Sequence, residues 1–287
     1  MGRIEEKFSE LKSRGEAALI PFITAGDPDL HTTLKIMRAV ERGGADGIEL
    51  GIPFSDPTAD GPTIQRSSER AVERGVTLPQ IFQLVREFRR DSELPLILFG
   101  YFNRVFHFGV EKFCRQTAAS GADGILCVDL PPEESGELKH WADNEGLDLI
   151  FLLSPTSGPD RARLVARKGR GFIYYVSVTG VTGARRSIDD HLPAQIANVR
   201  RLTSLPIGVG FGISTPRQAA WIAGFADAAV VGSALVDVIE QARGSSAKAD
   251  AASDFIARLK RGMTGARKHR KQPRGLSRRS LDDLFSR

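Results

Sequence analysis

Cysteine is scarce in this sequence: Cys114 and Cys127 are the only two in 287 residues. They form no CxxC pair and no cluster with a histidine, so a disulfide framework is excluded and no metal is expected. Both read as reduced core thiols of a cytoplasmic protein. Long apolar runs are missing too. The most apolar stretch, residues 225–239, is interrupted by Asp227 and Asp237 and falls short of a membrane span. Residues 1–14 are charged and helical in pattern, without the apolar centre of a signal peptide, and Glu6 stands where N-myristoylation needs Ser or Thr. Neither export nor membrane attachment is expected.

A one-signed surface is also lacking over most of the chain. Lys and Arg number 40 against 35 Asp and Glu, a net charge of +5. That excess sits in residues 262–287, where eight Lys or Arg face Asp282 and Asp283, so the body is close to neutral. A nucleic-acid surface needs a basic face with aromatic stacking partners. The tail offers Phe285 alone. Residues 262–287 are therefore read as a basic, flexible extension, and nucleic-acid binding is not expected.

What is present is an ordinary globular composition, 41% hydrophobic and 26% charged, in which short apolar runs alternate with amphipathic helical stretches. Eight such runs occupy residues 18–24, 47–52, 96–101, 124–130, 149–153, 172–177, 207–211 and 228–232. Continuous apolarity, rather than alternation, marks strands covered on both faces, as in parallel sheets. Eight of them at this spacing predict an α/β fold, a (β/α)8 barrel over residues 1–261, with a doubly wound sheet as the competing arrangement. Three strands are entered by a related phrase: Gly44-Ala45-Asp46-Gly47, Gly121-Ala122-Asp123-Gly124 and Phe225-Ala226-Asp227-Ala228. These read as a recurring helix-to-strand link.

Barrel chemistry sits at strand C-terminal ends, so those ends carry the functional reading. In the second run, period two sends Ile48, Leu50 and Ile52 towards the helices and Glu49 inward, between Gly47 and Gly51. A buried carboxyl with no inward cation opposite it is costly to ionise, which suits a general acid–base residue. The next loop carries Asp56 and Asp60 and is stiffened by Pro53, Pro57 and Pro62. Spacing alone leaves two readings of each Asp open, a second active-site carboxylate or a turn-forming Asx residue. Three glycine segments follow late strands: Gly180-Val181-Thr182-Gly183, Gly210-Phe211-Gly212-Ile213-Ser214 and Gly232-Ser233-Ala234. At one end of a barrel they point to a phosphorylated ligand, because glycine lets backbone N–H groups approach an anion.

The block from Glu49 to Pro57, followed by Ala59-Asp60-Gly61-Pro62, resembles the signature of the tryptophan synthase α chain family. Further blocks lie in family order: residues 21–28, Tyr101 with Asn103, Asp129-Leu130-Pro131, Val176-Ser177, residues 180–183 and residues 210–214. The resemblance implies retro-aldol cleavage of indole-3-glycerol phosphate to indole and glyceraldehyde 3-phosphate in tryptophan biosynthesis. It implies Glu49 as acid–base residue and Asp60 as the carboxylate on the indole N–H. Phe22, Phe99, Leu126, Leu152 and Phe211 match positions lining an indole pocket, Tyr174 and Thr182 match positions beside the carboxylates, and Gly183, Gly212, Gly232 and Ser233 match the phosphate site. No cofactor is implied in this chain; pyridoxal phosphate is expected in a β-chain partner, within an αββα tetramer. Thr58, Arg104 and the long basic tail depart from the family pattern. A different phosphosugar barrel, such as an indole-glycerol-phosphate synthase or a phosphoribosylanthranilate isomerase, would share the glycine loops but would not need the block spanning Glu49 and Asp60. A non-catalytic subunit would have no chemical reason to keep both acids.

Overall fold

The computed structural model describes residues 2–177, 191–210 and 212–264. Its strands are β1 (Ala18–Thr24), β2 (Ile48–Gly51), β3 (Leu96–Gly100), β4 (Gly124–Cys127), β5 (Asp148–Leu153), β6 (Ile173–Val176), β7 (Ile207–Gly210) and β8 (Ala228–Val231). They pair in parallel in sequence order, and β8 closes on β1 in the register Ala18↔Ala228 to Pro21↔Val231. Closure makes this a (β/α)8 barrel and excludes the doubly wound sheet.

The two burial faces of each strand explain its unbroken apolarity. Outward residues such as Leu19, Ile48, Leu98, Phe151 and Val209 meet the surrounding helices. Inward residues Ala18, Ile20, Ile97, Leu126, Ile150, Phe172, Ala228 and Val230 fill the barrel. The helix Arg3–Ser13 adds Ile4, Phe8 and Leu11 to that inner cluster from the N-terminal end, with the Phe8 ring 5.6 Å from Phe172. Each large side chain buried this way stabilises the fold by about 1.5–3 kcal/mol. Both cysteines are buried. Among the described residues no helix is long and apolar enough to cross a membrane.

Several strands are shorter than their apolar runs. β4 stops at Cys127 because the Val128 N–H still donates to the Gly100 carbonyl but Asp129 turns to accept the Phe102 N–H at 2.7 Å. At the other end of the chain, the helix Ser245–Met263 runs through residue 261, and Met263 is buried. Residues 265–287 of the expected tail lie outside the described residues.

The repeated helix-to-strand phrase has a specific physical role. Asp46 Oδ2 accepts the Leu19 N–H at 2.7 Å and Lys260 Nζ at 2.6 Å. Asp123 Oδ2 accepts the Leu96 N–H at 2.8 Å and Arg89 Nη2 at 3.0 Å, while its Oδ1 takes Arg3 Nη1 at 3.0 Å. Asp227 Oδ2 accepts the Ile207 N–H at 2.9 Å and Arg200 Nη2 at 2.6 Å. Each Asp thus ties the start of the preceding strand to a cation, and charge-assisted hydrogen bonds of this kind are worth roughly 1.5–3 kcal/mol each.

Candidate active site

Paired residues of parallel strands project from the same face of the sheet. The register couples Phe22 to Glu49, Gly51 to Phe99, Phe99 to Leu126, and Leu152 to Tyr174. Phe22, Glu49, Phe99, Leu126, Leu152 and Tyr174 therefore all face the interior, towards the C-terminal end of the barrel.

Glu49 is 1% exposed and its Oε1 has no hydrogen-bond partner among the described residues. Burial alone pushes its carboxyl up to about 8. The group is consequently mostly neutral at neutral pH, able to give a proton and then to take one. Glycines make room around it. A Cβ on Gly51 would collide with the Phe22 ring, and one on Gly210 with the Tyr174 phenol. Phe22 meets Phe99 edge-on, centroids 5.2 Å apart at 76°. The two rings help line a cleft that also has Thr24, Ile64, Asp60 and Tyr101 on its walls.

Asp60 is half-buried at the far end of the loop that follows β2. Its Oδ2 accepts the Tyr101 hydroxyl at 3.0 Å, and the same phenol oxygen accepts the Ala59 N–H at 3.0 Å. Burial raises the Asp60 carboxyl to about 6, against the opposing pull of the Tyr101 hydrogen bond. The Asp60 side chain reaches across to another strand instead of closing a turn on its own backbone. Asp56 is exposed on the same loop. Burial, followed by the charges of Glu49 and Asp60, pushes the Tyr174 phenol well above its ordinary range, which places that hydroxyl in the field of both acids.

Beside Phe22 and Ile64 of that cleft, Gly232 precedes the helix Ser233–Gln241, whose N-terminus has no side-chain cap. Ser233 is exposed there. Its position at the positive end of the helix dipole suits an anion. Gly212, after β7, has φ +42 with open space around it, a backbone conformation that favours glycine. Thr182, Gly183 and Phe211, with the segment 180–183, lie outside the described residues. Among the described residues no three His, Cys, Asp or Glu side chains gather as a metal site.

The sequence reading used Tyr101, with Asn103, as part of a family block and gave it no function in the site. Its signal was available: a polar-tipped aromatic at a strand's C-terminal end, one strand away from the Asp60 loop.

Residues 8–264 match the family profile described as tryptophan synthase alpha chain. The tryptophan synthase alpha chain of Geobacter sp. (strain M21) is 54% identical over 263 residues, covering 92% of this chain and 98% of that one. That of Citrifermentans bemidjiense is 55% identical over 263 residues, with the same shares of 92% and 98%. Among solved structures, tryptophan synthase subunit alpha from Legionella pneumophila str. Paris superposes with a TM-score of 0.85 at 37% identity, over 92% of this chain and 98% of that one.

Proposed function

Because this chain belongs to the tryptophan synthase alpha chain family and cleaves indole-3-glycerol phosphate to indole and glyceraldehyde 3-phosphate, we propose that Glu49 and Asp60 carry the reaction. The observation behind this reading is the buried Glu49 carboxyl with its unpartnered Oε1.

Cleavage of the C3–C1′ bond requires that C3 of the indole ring be protonated and that the hydroxyl on C1′ lose its proton. Neutral Glu49 gives its proton to C3, and positive charge develops at the ring nitrogen. Asp60, ionised above a value of about 6, accepts the indole N–H and stabilises that charge. Glu49, now a carboxylate, takes the hydroxyl proton; the C3–C1′ electron pair returns to the ring, and the aldehyde leaves. Glu49 ends as it began, having moved one proton in each direction. Phe22, Phe99, Leu126 and Leu152 form the ring pocket, Tyr174 stands beside the carboxylates, and Gly212, Gly232 and Ser233 hold the phosphate. For Thr182, Gly183 and Phe211 the family resemblance is the support.

The chain works with a β chain, as its family implies. We read the assembly as an αββα tetramer in the cytoplasm, with pyridoxal phosphate held by the β chain and no cofactor in this one. Exposed Asp56 and Thr58 share a loop with Asp60, so a partner seated on that loop would steady a catalytic carboxylate. The barrel through the helix Ser245–Met263 is the catalytic unit, and residues 265–287 are dispensable for cleavage. The deciding measurement is indole release from indole-3-glycerol phosphate by the wild type, Glu49→Gln and Asp60→Asn, each with and without a β chain. Near-normal release by Glu49→Gln would overturn the assignment.

A further inference from the structure

We propose that Tyr101 is a positioning residue for the cleavage reaction, a latch whose single hydroxyl fixes both the carboxylate of Asp60 and the backbone that carries it. The proposal rests on the reading of Asp60 given above and says how that residue is held.

Tyr101 follows β3 and is 4% exposed. A phenol has one proton to give and lone pairs with which to accept. The Ala59 N–H uses an acceptor site on Oη at 3.0 Å, and the proton goes to Asp60 Oδ2 at 3.0 Å. Two consecutive residues of one loop thus hang from one atom of the residue that follows β3. The ring itself is restrained, because it stacks on Phe54 with centroids 5.0 Å apart at 30°. Phe54 is gripped in turn by Ser68, whose Oγ accepts its N–H at 2.8 Å and donates to its carbonyl at 2.9 Å. Both ends of the loop between β2 and the helix Pro62–Glu73 are therefore anchored, one through Ser68 and one through Tyr101.

The chemical consequence concerns which carboxylate oxygen is used and whether it is charged. Donation to Oδ2 leaves Oδ1 for a substrate N–H. It also favours the ionised form, opposing the burial that lifts Asp60. Among the described residues, the other titratable groups bearing on this pair are Glu49 on β2, Asp129 after β4 and Tyr174 on β6. None of them hydrogen-bonds Asp60, so among the described residues the Tyr101 phenol is the side-chain donor that holds charge on its carboxylate.

The test is kinetics of the full chain, following indole release from indole-3-glycerol phosphate across pH for Tyr101→Phe, Asp60→Asn and the double variant. Tyr101→Phe keeps the ring and its stacking on Phe54. It is expected to lower kcat by about tenfold to a hundredfold with KM little changed. Its acid limb should move to higher pH, since Asp60 loses a donor that favours its ionised form. In the Asp60→Asn background the same change should cost almost nothing further, because residues acting through one another do not add. A Tyr101→Phe enzyme with wild-type kcat and an unmoved acid limb overturns the latch, as do losses that multiply in the double variant. If Asp60→Asn retains full activity, the Asp60 reading falls and the latch with it. If Asp60→Asn is crippled and Tyr101→Phe is normal, only the latch falls.

Discussion

At the N-terminal end of the barrel, Asp46, Asp123 and Asp227 each accept one strand N–H and at least one Lys or Arg. At the C-terminal end, among the described residues, Glu49 has no partner for Oε1 and Asp60 has the neutral hydroxyl of Tyr101. The same functional group is thus fully compensated on one rim and left short on the other. Asp46 also has its carboxyl raised by burial, but Lys260 and the Leu19 N–H pull the other way. Among the described residues no such pull acts on Glu49. Compensation at the first rim stabilises the fold; its omission at the second leaves proton affinities near neutrality, where a group can both give and take.

The contrast breaks first at Glu49. Glu49→Gln should reduce indole release by about 10⁴-fold and yet stabilise the protein. The carboxyl lies near 4.5 in the unfolded chain and at about 8 in the fold, so between those values the native state binds a proton that the unfolded state has released. Wild-type stability therefore falls as pH rises through that window, and the advantage of the Gln variant grows with it. The gain reaches the order of a few kcal/mol at the alkaline end, to be read as the difference in thermal midpoint at about pH 5 and about pH 9. A Gln variant less stable than wild type at the alkaline pH would mean that Glu49 has a compensating partner after all. Asp60→Asn should lose less activity, about 10²–10³-fold, because it removes one electrostatic contact and no proton transfer.

On the other rim the outcome should invert. Asp123→Ala leaves Arg89 with an unpaired charge in a site where its side chain is 11% exposed. The variant should lose about 3 kcal/mol of stability in urea unfolding while keeping kcat/KM at temperatures where it is folded. A fall in kcat/KM under those conditions would show that the two rims are not independent. The smallest effect is expected at Gly232→Val. A Cβ there meets Ile64 at 3.4 Å and Phe22 at 3.8 Å, ordinary van der Waals distances. Binding of glycerol phosphate should weaken about tenfold, and binding of an indole analogue should change less. Equal losses for both would remove Gly232 from the phosphate site.

Periodicity reached Glu49 because an inward Glu between two inward glycines is settled by strand parity, a local property. It did not reach Asp60. The choice between an Asx turn and an active-site carboxylate depends on a hydroxyl 41 positions further along the chain, which no spacing within the loop encodes. The helix-to-strand aspartates show the same division. Their recurrence was visible in the sequence, but the cations that complete them come from remote helices, as with Lys260, 214 positions from Asp46. Strand ends were overestimated where an apolar run continues into a loop, as at Val128 beyond β4.

The helix Arg3–Ser13, with Ile4, Phe8 and Leu11 set against the inner cluster, gives the barrel a floor. At the other end, the cleft lined by Phe22 and Phe99 has Asp60 and Tyr101 on its walls. A floor on one side gives the barrel a direction: its closed end bears weight, and its chemistry is met from the end where Asp60 stands.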